Sequence, residues 1–344
     1  MTASAARIVE EDLSSQGPRG AGISAVSSAR RHYRRHILGR SDISMEPSSI
    51  DVDGLELRYT VSNNDAGPDQ CWAINIHGYF AGGTMYQRES EHLAESLGWR
   101  VVNPSLPGFG GSDPLSWSQI SMPSLARRIE ALVDHLGLDQ VVLLGHSMGG
   151  SVAIEFAARH PERVLGIIYR AGVATPAWHE RRGIFPLAMS SIAPDVGPLV
   201  DLAASVVLDV PDLFVGRMLS TMKSVIPDLR RNLKTLARTA PVASMLMEVD
   251  QTPQVVTVRN AQIPILAEWG CLDRIATAAT AQEFSEIADV AVHWMPGGHS
   301  WMLARPTGQR DILQHLPAGK AFVAQIESRR QLTSSAARHL SVVS

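Results

Sequence analysis

The sequence predicts an α/β protein in which helices cover both faces of a mostly parallel β-sheet. Two observations support this fold class. Short β-rich runs alternate with helix-length amphipathic segments from about residue 50 onward, which is the pattern of a sheet built from strand and helix units. The composition, with 45% hydrophobic and 19% charged residues over 344 positions, is typical of a globular protein that can bury a substantial core.

Seven short runs are the strand candidates, and one segment has a clear helical pattern. The run from Leu55 to Val61 alternates between apolar and polar residues and is expected to form an early edge strand. The other runs are Trp72 to Ile76, Val101 to Val102, Val141 to Leu144, Val164 to Tyr169, Ile265 to Trp269 and Val290 to Trp294. From Ser124 to Leu136 apolar residues recur on one helical face, and Pro123 stands where a helix begins.

The alternation of strands and helices stops in the segment 175–260, where only helices are expected. Four prolines each precede an apolar-periodic stretch and predict helix starts, namely Pro198, Pro211, Pro227 and Pro241. Three leucines at i, i+4 and i+7 predict a buried stripe, namely Leu229, Leu233 and Leu236. We therefore expect a helical cap over 175–260, inserted into an α/β core made of residues 49–174 and 261–330.

Both ends of the chain have the composition of flexible tails. Residues 1–48 are rich in Ser, Ala, Gly and Arg, and residues 331–344 are rich in Ser and Ala. The arginines between Arg30 and Arg40 favour a solvated basic tail, with weak contact to an anionic membrane surface as the alternative. No apolar run approaches the length of a membrane span and no signal-peptide core follows the arginines, so a cytoplasmic location is expected.

Charge and cysteine content exclude two kinds of protein. The 31 basic residues stand against 34 acidic ones, so no excess of positive charge is available to neutralise a nucleic-acid backbone. Cys71 and Cys271 are too few for a disulfide scaffold. They are also expected at opposite edges of the sheet, beyond the reach of a disulfide bond, so both are predicted to be free thiols.

The sharpest chemical signal is the sequence GHSMGG at residues 145–150, which lies between a predicted strand and a predicted helix. It contains the pattern G-x-S-x-G, in which the glycines let the chain make a strained turn that exposes the serine hydroxyl. The backbone N–H groups at the following helix start favour anionic intermediates. Ser147 is therefore the predicted nucleophile.

A serine nucleophile needs a histidine base and a carboxylate that orients the histidine, in the chain order serine, acid, histidine. His299 follows the last predicted strand in a glycine-rich loop and is the predicted base. Asp273 follows the strand ending at Trp269 and is the predicted acid. Glu268 is the rival acid, disfavoured because it lies within that strand. The alternative role for Asp273 is to cap the next helix.

An oxyanion also needs two backbone donors. Met148 supplies one because it follows the nucleophile, and the other is expected from the loop after the strand ending at Ile76. In that loop Tyr79 is the predicted donor, with Phe80 as the alternative. His77 is expected to brace the loop through hydrogen bonds rather than to act as a base or metal ligand.

Five motifs together resemble the α/β-hydrolase superfamily over roughly residues 50–325. They are His77-Gly78, the loop from Pro107 to Ser112, GHSMGG, Asp273 and Gly298-His299. The resemblance implies an eight-stranded, mainly parallel sheet with a helical cap and assigns nucleophile, acid and base to Ser147, Asp273 and His299. A serine nucleophile distinguishes this chain from the haloalkane dehalogenases and epoxide hydrolases of the superfamily, which use aspartate.

These residues predict an enzyme that hydrolyses carboxylic esters and needs no cofactor and no metal ion. The apolar and methionine-rich segment 175–260 favours a small hydrophobic ester substrate. The alternatives on the same triad are hydrolysis of a carbon–carbon bond in a ring-cleavage product, a thioesterase and a cofactor-free perhydrolase. Outside the enzymes, the alternative is a ligand-binding receptor of the same fold.

Overall fold

The computed structural model describes residues 43–64, 70–178 and 218–343, with the side chains of 218–222 and 333–343 excepted. Among these residues, eight strands form one sheet. They are β1 (Met45–Val52), β2 (Leu55–Ser62), β3 (Trp72–Ile76), β4 (Arg100–Pro104), β5 (Val141–His146), β6 (Val164–Arg170), β7 (Ile265–Gly270) and β8 (Val292–Met295). Their spatial order is β1-β2-β4-β3-β5-β6-β7-β8.

The sheet is parallel from β4 to β8 and antiparallel only where β2 pairs with β1 and β4. Every residue of β5 and β6 is buried, as expected for central strands that are covered on both faces. The predicted fold class is therefore confirmed.

The α-helices lie between and beyond the strands. Those described are α1 (Gln87–Leu97), α2 (Met122–His135), α3 (Met148–Arg159), α4 (Met218–Leu246), α5 (Thr252–Asn260), α6 (Ala278–Ala288), α7 (Trp301–Ala304), α8 (Gly308–His315) and α9 (Pro317–Val343). Helix α2 begins as its sequence predicts, because Ser121 accepts a hydrogen bond from the Ser124 N–H and Pro123 lies in the first turn.

Successive residues of each strand point to opposite faces of the sheet and divide the core in two. Leu143 of β5 belongs to the cluster that α2, α3, α5 and α6 cover. Leu144, its neighbour, belongs to the cluster that α1, α8 and α9 cover. Both faces are therefore buried, which leaves the carboxyl ends of the parallel strands as the place for functional loops.

The edge of the sheet differs from the prediction. The edge strand is β1, which pairs along its length with β2, so the run from Leu55 is the second strand rather than the edge strand. The sequence of β1 (MEPSSIDV) does not read as a strand because only Met45, Ile50 and Val52 are buried. Its Pro47 is tolerated because an edge strand has one unpaired side. The predicted tail 1–48 therefore overlaps the sheet from Met45 onward.

Two further boundaries differ. Strand β8 begins at Val292 rather than Val290, because Asp289 adopts a left-handed conformation and the Val290 N–H donates to the Ser285 carbonyl to close α6. At the end of the chain α9 continues to Val343, whereas composition predicted a flexible tail from residue 331.

Helix α4 corrects two expectations for the segment 175–260. Pro227 and Pro241 lie inside this single helix and do not start new ones, although each lacks the N–H that would donate within the helix. Leu233, expected in a buried stripe, is 57% exposed. The predicted helix starts at Pro198 and Pro211 lie outside the described residues.

Candidate active site

Ser147 occupies a strained turn between β5 and α3. Its φ is 53° and its ψ is −120°, a sparsely populated region that costs about 1–3 kcal/mol for a residue with a side chain. A Cβ atom at Gly149 would overlap the Ile76 carbonyl oxygen, and one at Gly145 would overlap the backbone of Gly149. The glycines of the motif are therefore required for close packing, and the Ser147 N–H is fixed by a 2.9 Å hydrogen bond to the Arg170 carbonyl.

Asp273 and His299 form a buried hydrogen-bonded pair. His299 Nδ1 lies 2.8 Å from Asp273 Oδ2, and both side chains are almost fully buried. The second carboxylate oxygen, Oδ1, accepts hydrogen bonds from the N–H groups of Ile275 and Ala276. Asp273 thus binds His299 through one oxygen and caps the following turn through the other, a geometry compatible with both roles weighed from the sequence.

The loops that carry this pair are bound to each other. The Cys271 N–H donates to the Met295 carbonyl at 2.8 Å, and the Leu272 N–H donates to the Gly297 carbonyl at 2.9 Å. A Cβ atom at Gly270 would overlap the Gly298 carbonyl oxygen. The carboxyl ends of β7 and β8 therefore approach closely, which holds Asp273 and His299 next to each other.

His146 connects the nucleophile turn to His299. The two imidazole rings are 4.8 Å apart, and His146 Nε2–H donates to the His299 carbonyl at 3.0 Å. Because a carbonyl can only accept, Nδ1 of His146 accepts from the Tyr86 hydroxyl at 2.6 Å. Burial, followed by the nearby His299 and Arg170, lowers the pKa of His146 well below its usual value, so this histidine stays neutral and holds the loop of His299.

His77 braces two loops, as its position in the sequence led us to expect. The Leu106 N–H donates to Nε2 at 2.8 Å, so Nδ1 carries the proton and donates to the Gly78 carbonyl at 2.7 Å. Burial lowers the pKa of His77 to about 4. The imidazole is therefore neutral near pH 7, with both nitrogens engaged.

The predicted oxyanion loop lies against Ser147, the predicted nucleophile. A Cβ atom at Gly78 would lie 3.1 Å from Ser147 Cβ, which places Tyr79 and Phe80 immediately beyond this contact. Phe80 has a left-handed backbone with φ 61°. Met148 is the first residue of α3, and the N–H groups of a first helical turn have no partner within the helix.

A buried ionic cluster behind the site could not be identified from the sequence. Arg170, at the end of β6, pairs with Glu89 of α1 and donates to Asn75 Oδ1 at 2.6 Å. Asn75 in turn donates to Glu89 at 3.0 Å. An arginine that ends an apolar strand was the available signal, but its partner is 81 residues away. The cluster fixes the end of β6, whose Arg170 carbonyl binds Ser147.

Glu268, the rival acid, is placed elsewhere. Its Oε1 accepts from Gln309 Nε2 at 2.9 Å, and its side chain is fully buried. Burial raises the pKa of Glu268 to about 8. The carboxyl is therefore mostly protonated at neutral pH, while Asp273 is the carboxylate bound to His299.

We expect Glu268→Gln to flatten the pH dependence of stability. Because the pKa of Glu268 rises from its ordinary 4.5 to about 8 on folding, the folded state holds a proton that the unfolded state releases, and stability falls as pH rises between these values. Glutamine keeps the acceptor for Gln309 without a charge. Relative to wild type, the free energy of unfolding of the variant should rise by roughly 1–3 kcal/mol when the pH is raised from 5 to 9.

Urea denaturation at both pH values measures this difference, and Glu286→Gln on the exposed face of α6 is the matched control. If the free energies of unfolding of Glu268→Gln and wild type differed by the same amount at pH 5 and at pH 9, the assignment of a protonated Glu268 would be contradicted.

Three other predictions concern thiols, metals and membranes. Cys71 is buried, Cys271 is exposed and both are free thiols in this structure. Within residues 43–64, 70–178 and 218–343, no group of three or more His, Cys, Asp or Glu side chains is placed to hold a metal ion. In the same part of the chain, no helix combines the length and the apolar character of a membrane span. The cytoplasmic location stays a prediction.

Comparisons with known proteins agree with this architecture. A family model described as the alpha/beta hydrolase fold matches residues 74–203. A protein of Mycobacterium phage D29, provisionally named a non-heme haloperoxidase, is 26% identical over 242 residues, which cover 70% of this chain and 85% of the relative.

A 2-hydroxy-6-oxononadienedioate/2-hydroxy-6-oxononatrienedioate hydrolase of Klebsiella pneumoniae is 35% identical over 127 residues. These cover 36% of this chain and 43% of that relative, so less than half of that relative is matched. Among solved structures, a thermophilic esterase from Thermogutta terrifontis has a TM-score of 0.59 at 21% identity, over 83% of this chain and 99% of that chain. This structural likeness concerns the fold.

The strand order, the turn at Ser147 and the family match lead to the same assignment. The chain has the α/β-hydrolase fold, and residues 74–203 match the model of that family.

Proposed function

We propose that this protein is a serine hydrolase that cleaves small carboxylic esters with an apolar acyl part through an acyl-enzyme intermediate. The observation that carries the proposal is the buried pair of His299 and Asp273, whose loop is bound through His146 to the turn that bears Ser147. A strained serine beside an oriented histidine is the arrangement that nucleophilic catalysis requires.

In the proposed reaction Ser147 Oγ attacks the carbonyl carbon of the ester while His299 Nε2 takes the hydroxyl proton. Asp273 holds Nδ1–H, so Nε2 is the nitrogen that can accept. The carbon–oxygen bond to the alcohol then breaks, and the alcohol leaves with that proton. Water repeats the sequence on the acyl-enzyme and releases the acid and free Ser147.

The tetrahedral intermediates carry a negative oxygen that needs fixed donors. We assign this role to the N–H groups of Met148 and Tyr79, with Phe80 as the alternative to Tyr79. Removing one donor of this kind lowers kcat by about 10²–10³-fold in serine hydrolases. The contact between Gly78 and Ser147 supports the assignment, because it places the loop of Tyr79 next to the nucleophile.

We further propose that residues 175–260 contain a cap above the site, with residues 49–174 and 261–330 as the α/β core. Helices α4 and α5 lie between β6 and β7. Helix α4 is the described part that we assign to the cap, whereas α5 covers one face of the sheet together with α3 and α6. The many apolar residues of the segment support an apolar acyl pocket.

Hydrolysis of a carbon–carbon bond is the second candidate, because the 35% identical relative is named for that substrate class. A perhydrolase would use hydrogen peroxide in place of water, and the name of the phage relative is the reason to include this alternative. A thioesterase needs only a different leaving group. All of these reactions use the same nucleophile, so substrate comparison must separate them.

The test is a comparison of kcat/KM over p-nitrophenyl esters from acetate to laurate, an acyl thioester and a 2-hydroxy-6-oxohexa-2,4-dienoate, with peracid formation measured in hydrogen peroxide. We expect the largest kcat/KM for an ester, with an optimum that reports the length of the acyl pocket. A larger kcat/KM for the dienoate or the thioester would replace the proposal with that activity. Turnover of no substrate and no labelling by a fluorophosphonate would favour a ligand receptor.

A further inference from the structure

Helix α4 presents a polar face to the body of the protein. Asp228, Asn232 and Thr239 are buried and Thr235 is half-buried. These four residues, at i, i+4, i+7 and i+11, share one side of the helix and are called the polar stripe. The leucine at 233 faces outward. A buried polar face requires hydrogen-bonding partners, and the partners are two glycine-rich loops.

Asn232 lies at the centre of this contact. Its Oδ1 accepts from the Gly110 N–H at 2.8 Å, and its Nδ2 donates to the carbonyls of Phe80 and Ala81 at 2.9 and 3.0 Å. One side chain therefore ties the loop after β3 to the loop that contains Gly110.

The other members of the polar stripe bind the same two loops. Asp228 Oδ2 accepts from the Met85 N–H at 3.2 Å, and Thr235 Oγ1 donates to the Gly108 carbonyl at 2.8 Å. The Tyr79 hydroxyl donates to the Thr239 carbonyl at 3.2 Å. The loop that carries the proposed oxyanion donor is thus hydrogen-bonded to α4 at several points along its length.

One glycine in each loop lies where α4 comes close. A Cβ atom at Gly82 would lie 2.5 Å from Asp228 Oδ2, and one at Gly108 would lie 2.8 Å from Thr239 Cγ2. In the motif from Pro107 to Ser112, which the proposed chemistry does not use, Gly108 therefore leaves room for the polar stripe, and all three glycines of the motif have positive φ.

Phe80 shows why the loop needs this support. Its left-handed backbone, with φ 61°, is unfavourable for a bulky side chain and persists only where the surroundings fix it. The Phe80 carbonyl is one of the two that Asn232 binds. The side chain of Asn232 therefore holds the Phe80–Ala81 peptide plane, which directly follows the peptide that carries the Phe80 N–H.

We infer that Asn232 is a positioning residue that sets the direction of the oxyanion donor at Tyr79 or Phe80 by binding the carbonyls of Phe80 and Ala81. The inference rests on the proposed function, since it concerns the oxyanion site of that reaction. Helix α4 then serves as a fixed support of the oxyanion loop in addition to its place in the proposed cap.

The test compares Asn232→Asp and Asn232→Leu with wild type, and Leu233→Ala on the exposed face is the matched control. Aspartate keeps the acceptor for Gly110 but has no N–H for the two carbonyls. The readout is the ratio of kcat/KM for a phenyl ester to that for its thionoester, whose sulfur is a weak hydrogen-bond acceptor. A variant that merely loses folded protein changes both rates equally and leaves this ratio unchanged.

We expect kcat/KM for the ester to fall by about 10- to 100-fold in both Asn232 variants, since small misplacements of catalytic groups have effects of this size. The ester-to-thionoester ratio should fall about 5-fold or more, as expected for a weakened oxyanion site. Leu233→Ala should keep the wild-type ratio. A wild-type ratio in Asn232→Asp and Asn232→Leu would overturn the inference.

Amide hydrogen exchange separates this inference from the proposed function. We expect the amides of residues 80–86 to exchange faster in Asn232→Asp than in wild type, because the hydrogen bonds that close the loop are lost. Unchanged exchange there would overturn the positioning role. Failure of wild type to hydrolyse either ester would refute the proposed function, and exchange would still decide whether Asn232 fixes the loop.

Discussion

Replacing Ser147 by alanine is expected to lower kcat for p-nitrophenyl esters by about 10⁴–10⁶-fold and to abolish labelling by a fluorophosphonate. The reason is that covalent catalysis loses its only proposed nucleophile, while binding and oxyanion donors remain. Alanine has a backbone preference similar to that of serine, so the turn with φ 53° should persist. The remaining activity then measures what the rest of the site contributes.

The control for this variant is Ser151→Ala, one turn further along α3. Ser151 is fully buried, and its hydroxyl has no hydrogen-bond partner among the described residues. The Ser151→Ala variant should therefore keep wild-type activity and wild-type labelling by the fluorophosphonate. If Ser147→Ala were still labelled at wild-type rate, the nucleophile would be a different residue and the proposed mechanism would be wrong.

Replacing Asp273 by asparagine is expected to lower kcat by about 10³–10⁴-fold with little change in stability. Asparagine Oδ1 can still accept from the N–H groups of Ile275 and Ala276. Its Nδ2 then faces His299, and because an amide nitrogen only donates, His299 must present an unprotonated Nδ1. The proton moves to Nε2, so the imidazole can no longer accept the proton of Ser147.

Steady-state kinetics and thermal unfolding together check this expectation. Asp289→Asn is the matched control, because Asp289 is exposed, caps α6 in a left-handed conformation, and asparagine tolerates that conformation. Activity of Asp273→Asn within tenfold of wild type would show that the carboxylate does not set the tautomer of His299, and another acid would have to be sought.

Local features could be predicted well because their causes are close in sequence. The turn at Ser147 follows from glycines two residues to either side, and the starting residues of β3, β5, β6 and β7 follow from apolar runs bounded by polar residues. Strand β1 was not predicted because its outward-facing residues are polar. Its backbone pairing with β2 stabilises a strand that its own sequence does not indicate.

Long-range contacts could be predicted only in outline. Chain order and loop position suggested Asp273 and His299, but the 2.8 Å contact depends on how the ends of β7 and β8 are bound. The pairing of Arg170 with Glu89 could not be predicted. Charged residues are usually solvated, and nothing in the sequence connects the end of a strand with a helix 81 residues earlier.

The sequence by itself determined the fold class, the order of β2 to β8 along the chain and the strained turn that bears Ser147. Only the tertiary structure decided which face of α4 points inward. Periodicity shows which residues share a face, yet burial depends on what that face meets. Here it meets backbone N–H and carbonyl groups of glycine loops, which need polar partners, so Asn232 is buried and Leu233 is exposed.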